Sequence, residues 1–107
     1  MNENEIKALR EQEDEALKAK YPNEKLTIIR VDGKKLVLVK PNRYVLSPCM
    51  ATINTDPVKA LEELARAIVI EAESDMSILD DDDTFIAIMP ALGNLVEQKK
   101  IIMTKLS

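Results

Sequence analysis

The sequence predicts an α+β fold: one antiparallel β-hairpin over about residues 25–40, packed with about four helices in a single domain spanning 1–107. Three observations carry this reading. Asp32-Gly33 separates two β-rich runs, Asp56-Pro57 opens a stretch of helical apolar spacing, and Asp81-Asp82-Asp83 precedes another. A length of 107 residues lies near the commonest domain size, and 46% hydrophobic with 32% charged residues suffices for a packed core.

Residues 1–22 read as a polar N-terminal helix. Segment 3–20 is rich in Glu, Lys, Ala, Leu, Arg and Gln, with Asn2 or Asn4 as cap and Lys18 and Lys20 at the dipole's negative end. Its apolar stripe of Ile6, Leu9, Ala16 and Leu17 is thin, so the helix is expected to dock loosely or to be completed by a partner. Tyr21-Pro22 ends it, because a residue before proline avoids helical geometry.

The hairpin is the clearest local signal. Lys25–Val31 and Lys34–Lys40 flank Asp32-Gly33, a pair suited to a two-residue turn with positive φ. Counting outward from that turn pairs Val31 with Lys34, Ile29 with Leu36 and Thr27 with Leu38. The alternate pairs are Arg30 with Lys35, Ile28 with Val37 and Leu26 with Val39. Side chains alternate across a strand, so one face carries Ile29, Val31, Leu36 and Leu38, and the other Leu26, Ile28, Val37 and Val39. Both faces are apolar, and one layer of helices covers only one of them. Either the chain's own helices wrap both sides, or the second face meets a neighbouring subunit or partner. These eight residues, with Lys34 and Lys35, are the expected partner-binding surface.

Pro41 ends the second strand. Beyond it, residues 43–107 read as the helical part. Either Asn42 caps a short helix beginning at Arg43, or Ser47 is the cap with Pro48 in the first turn; both readings make about 47–53 helical. Asp56 caps a core helix that carries Ala60, Leu61, Leu64, Ala65, Ile68 and Val69 and runs to about Glu73. Segment 74–80 reads as a loop tucking in Met76, Ile78 and Leu79. The acids at 80–83 are contiguous and lack the spaced oxygens and glycine of a calcium loop, so they read as helix caps. A last helix is expected from about Thr84 towards Lys105, kinked or broken by Pro90 near Gly93.

Composition narrows the chemistry. The chain has no histidine and one cysteine, Cys49, which removes histidine bases, His-activated nucleophiles, internal disulfides and Cys/His metal sites. Two glycines, Gly33 and Gly93, make no phosphate loop. Ser47, Ser74 and Ser77 have no histidine to activate them, and Cys49 reads as a core or helix-face thiol. The expectation is a protein that is not an enzyme, with no cofactor, no metal and no small-molecule substrate. With no leading signal segment and no apolar run approaching a membrane span, a soluble cytoplasmic protein is expected, without membrane contact.

The net charge of −4 is unevenly spread. Residues 1–24 hold seven acids and four bases (−3), residues 25–46 one acid and six bases (+5), and residues 47–107 eleven acids and five bases (−6). The basic hairpin reads either as a solubilising device at a sheet edge or as a docking surface for an acidic partner. With a single aromatic residue in the stretch, Tyr44, and an acidic chain overall, nucleic acid is not expected as a partner. The unmatched faces and the split charge together predict a homo-oligomer whose affinity weakens with salt.

The order of elements carries a resemblance. A hairpin closing in Lys40-Pro41-Asn42-Arg43 precedes an Asp56-Pro57 helix start and an Asp81-Asp82-Asp83-Thr84-Phe85 start. This resembles small proteins of tailed bacteriophages and prophages of the tail assembly chaperone type, over about residues 20–107. The resemblance implies a non-enzymatic assembly factor in the host bacterial cytoplasm. Such a factor binds the tape-measure protein, recruits tail-tube subunits, is usually absent from the finished particle and is often made with a longer frameshifted product. It carries over no catalytic residue. The alternatives are a structural or cargo component retained in the particle, and a small bacterial protein–protein adaptor.

Overall fold

Asp32 and Gly33 adopt φ of 50° and 76°, the positive pair that a tight two-residue turn demands. The turn sets the register. Strand β1 (Leu26–Val31) pairs antiparallel with β2 (Lys34–Val39), Val31 opposite Lys34 and Leu26 opposite Val39, as counting from the turn predicts. The computed structural model describes residues 2–96 and 101–106. Helix α1 (Glu3–Lys20) precedes the hairpin. It is followed by α2 (Arg43–Thr52), α3 (Pro57–Ile68), a 3-10 turn at Glu71–Glu73, α4 (Ser77–Asp80) and α5 (Asp82–Asn94). The fold is α+β, as expected, with one hairpin and five helices among the described residues.

Each long helix begins on a side-chain oxygen that satisfies an otherwise orphaned amide. Asn2 accepts from the Glu5 N–H at 2.9 Å, Asp56 from Lys59 at 3.1 Å and Asp81 from Thr84 at 3.0 Å. At α2 the cap is Asn42, accepting from Tyr44 and Val45 at 2.9 and 3.1 Å, so of the two starts open in the sequence the one at Arg43 is realised and not the one at Ser47. Pro48 sits inside α2, where its missing N–H would have faced the Tyr44 carbonyl. Tyr44 is 80% exposed, so the turn that lacks this bond lies at the surface of the protein.

Three further boundaries differ from expectation. Helix α3 stops at Ile68 instead of continuing to Glu73, because Val69 turns extended and bridges to Leu38. Backbone groups buried on β2 need partners, and that need outweighs the helix propensity of the following residues. The segment 74–80, expected as a loop, folds its second half into α4 and buries Ile78 and Leu79. The last helix ends at Asn94. Pro90 is accommodated within it, and the Leu95 N–H closes a tight turn onto Gly93 and Leu92. Residues 101–106 have no regular structure, and Ile101, Ile102, Met103 and Leu106 are exposed, so helix does not extend there as expected. Pro90 and Gly93 weaken propagation, and the apolar stripe past Val96 has no surface to pack against. The intervening part of that expectation, 97–100, lies outside the described residues.

The core lies between one hairpin face and the helices. Leu36 and Leu38 from β2 meet Leu61, Leu64 and Ile68 of α3, Ile78 of α4, and Phe85, Ile88 and Leu92 of α5. On the outer surface Arg66 of α3 donates to Glu62 at 3.1 Å and to Asp80 at the end of α4 at 2.9 Å.

Acid should loosen this arrangement at two points. The Ser77 hydroxyl, at 2.6 Å, and the Ser77 N–H hold the Asp75 carboxyl below the usual carboxylate range. The Thr84 hydroxyl, also at 2.6 Å, and the Thr84 N–H do the same for Asp81. Both groups hold protons less readily in the folded chain than in the unfolded one. Their contribution is complete above the ordinary carboxylate pKa of about 4 and is lost as pH falls through the lower folded values. Thermal melts across the acid range should show declining midpoints. Asp81→Asn should flatten that decline, and an unchanged acid limb would contradict the assignment.

Candidate interaction surface

The two long edges of the hairpin are treated differently. Residues of β2 not paired with β1 through the backbone are Lys35, Val37 and Val39, whose N–H and C=O groups point outward. The segment following α3 closes this edge. The Ile70 N–H donates to the Val37 carbonyl at 2.9 Å, and the Asp75 N–H to the Lys35 carbonyl at 2.9 Å. Ser74 Oγ accepts from the Val37 N–H at 2.8 Å. The corresponding outward residues of β1 are Leu26, Ile28 and Arg30. Among the described residues, no backbone group of another element pairs with them. Every residue of β1 is half-buried, whereas Leu36, Val37 and Leu38 of β2 are fully buried. β2 is thus an interior strand in effect, and β1 an open edge.

Helix α1 lies over the face that carries Arg30 and Lys35. Arg30 donates to Asp14 at 2.7 Å, and Lys20 pairs with Glu73 at 2.7 Å, which raises the Lys20 pKa. Leu17 is the single buried residue of α1, while Ile6 and Leu9 remain 37% and 45% exposed. The thin stripe therefore anchors the helix near its C-terminal end only. Three concavities result, the smallest, of about 190 Å³, beside Leu17 itself. A groove of about 290 Å³ separates α1 from the open edge, lined by Asp14, Lys18, Leu26, Ile28 and Arg30. A wider cleft of about 590 Å³ lies between the N-terminal half of α1 and the hairpin tip. Ile6, Leu9 and Val31 give it apolar walls. Arg10, Arg30, Lys34 and Lys35 against Glu13 and Asp32 give four bases and two acids, a local +2 on a chain of −4.

The expected partner-binding residues are thereby divided. Leu36 and Leu38 are enclosed by the chain's own core, with Ile29 and Val31 half-buried against it. Val37 is also fully buried, on the face beneath α1, so it is not a free contact. Val39, placed by alternation on that second face, packs against the core at the strand's end. Leu26 and Ile28 remain half-exposed at the open edge, Lys34 is exposed at the tip, and Lys35 is half-buried. Arg30, which sequence reasoning did not single out for the site, lines both the groove and the cleft, and Asp14 and Lys18 line the groove at the open edge. The alternation of acid and base at α1 positions 14 and 18 was the available signal.

Cys49 is 4% exposed, and burial with help from the Glu63 carboxylate pushes its thiol pKa up. The folded protein should react slowly with an aromatic disulfide reagent and rapidly after addition of denaturant. Fast native-state labelling would contradict this. Among the described residues, no group of three or more His, Cys, Asp or Glu side chains is placed to hold a metal ion. No helix among them is long and apolar enough to cross a membrane. No family model, curated protein or solved structure matches the chain.

Proposed function

We propose that the chain is a non-enzymatic assembly factor of the tail assembly chaperone type. In this reading it acts in the cytoplasm of a bacterial host, binding the tape-measure protein and bringing it to tail-tube subunits. The observation that carries the binding role is the cleft between α1 and the hairpin tip. There Ile6 and Leu9 stand exposed on one wall, opposite Val31, Lys34 and Lys35 on the other. Apolar walls with a basic rim suit an amphipathic segment carrying acidic residues. Burial of its apolar side supplies affinity, and the charges supply register and speed of encounter. The phage class rests on the short motifs from Lys40 to Phe85.

The test is co-expression with the tape-measure protein of the same genome. The expected result is a co-purifying complex and absence of the chain from purified particles by mass spectrometry. The paired change Ile6→Asp and Leu9→Asp, at exposed positions, should abolish the complex while leaving the fold intact. Failure to co-purify would overturn the chaperone reading. Presence of the chain in stoichiometric amount in purified particles would replace it with a structural component.

A further inference from the structure

We propose that a second copy of this chain adds to the open edge of β1, strand to strand and antiparallel, about a two-fold axis midway between Ile28 and the partner's Ile28. The outward backbone groups of Leu26, Ile28 and Arg30 are unpaired among the described residues, while the equivalent groups of β2 are closed by Ile70, Ser74 and Asp75. Native edges are commonly guarded by proline, bulges or free charge. β1 has no proline, and its one charge, Arg30, is taken up by Asp14 at 2.7 Å.

The edge is also self-complementary, as an isologous contact requires. Centring the axis on Ile28 sets Ile28 against the partner's Ile28, and Leu26 against the partner's Arg30. All three outward residues then make hydrogen-bonded pairs. Centring it on Arg30 would oppose like charges, and centring it on Leu26 would run past the strand's end. The groove beside the edge fits the same symmetry. Asp14 lies beside Arg30, and Lys18 follows one helical turn later along the groove. The two-fold axis therefore turns Asp14 of one copy, which keeps Arg30 at 2.7 Å, towards Lys18 of the partner subunit, which gives up its exposed contact with Glu15 to reach it.

Light scattering on the full chain at tens of micromolar should give about twice the 12.0 kDa chain mass. Ile28→Pro removes an N–H that points away from β2, so the hairpin ladder survives and the mass should fall to that of one chain. Lys18→Glu, at an exposed position, should weaken the dimer about tenfold at low salt and less at high salt. Hydrogen exchange gives a readout that needs no variant: the Ile28 and Arg30 amides should be protected at high concentration and lose protection on dilution. A single-chain mass for the unaltered protein would overturn the proposal. So would persistence of the dimer in Ile28→Pro, Ile28 amides unprotected in the dimer, or a Lys18→Glu dimer as tight as the original. Conversion to monomer on removal of residues 101–107 would also overturn it, by assigning the contact to the exposed apolar C-terminal segment.

Discussion

Leu38→Ala is expected to cost about 3–5 kcal/mol. Leu38 is fully buried, sits on the core face of β2, and its backbone bridges to Val69 just past α3. Its neighbours are held from both sides, by the ladder to β1 and by the helices beneath. The space left by the lost methyl groups therefore collapses poorly, and the cost falls in the upper part of the usual range. Against a total of about 5–15 kcal/mol for a domain of this kind, the variant is marginal. Urea unfolding should show a large fall in midpoint with an unchanged slope. Leu17→Ala is the informative contrast. Leu17 is also buried, but it anchors only α1, so its loss should release that helix and leave the core transition nearly in place. Equal effects for the two variants, or a Leu38→Ala cost below about 1 kcal/mol, would mean that the core is not one-sided as described.

Ser74→Ala is expected to cost about 1–3 kcal/mol, although it deletes a single oxygen. Ser74 Oγ is the acceptor for the Val37 N–H at 2.8 Å, and Val37 is fully buried. Removing the hydroxyl strands a donor where water does not reach, and the full desolvation penalty appears. The Ile70 contact to the Val37 carbonyl and the Asp75 contact to the Lys35 carbonyl remain, so the segment stays attached on both sides of residue 74. Exchange of the Val37 amide should speed up in parallel with the loss of stability. Ser74→Thr restores a hydroxyl at the same atom and should recover most of the loss. If alanine is tolerated and the Val37 amide stays protected, Ser74 does not close the β2 edge.

Local chemistry was legible wherever the cause lies within a few residues. Asp32-Gly33 requires positive φ, so the turn and every cross-strand pair followed by counting. Asp56 is legible as a cap from Pro57 beside it, and the spacing narrows the other two to Asn2 or Asn4 and to Asp81, Asp82 or Asp83; the structure uses Asn2 and Asp81, whose side chains reach amides three residues on. The polar N-terminal helix and its loose docking were readable from the thin stripe of Ile6, Leu9 and Leu17. The acidic run at 80–83 was readable as capping for the same reason.

Boundaries set by distant partners were not legible. The α3 stretch keeps helical periodicity through Val69, yet it stops at Ile68 because β2's outward groups need the backbone of Ile70 and Asp75 as partners. Alternation along the hairpin showed that both faces are apolar, but not what covers each. α1 settles one face through Leu17 and the Asp14–Arg30 pair, a contact between residues with no local reason to meet. The asymmetry of the edges was invisible for the same reason. β1 and β2 look alike as strings, and only the path of residues 69–75 closes one edge and leaves the other open. The hairpin, its register and the starts of most helices follow from local sequence, because they depend on dihedral preference and hydrogen bonds within a few residues. Tertiary structure alone decided which edge and which cleft face outward, because buried amides and apolar faces are satisfied by whichever segment the chain's path brings to them.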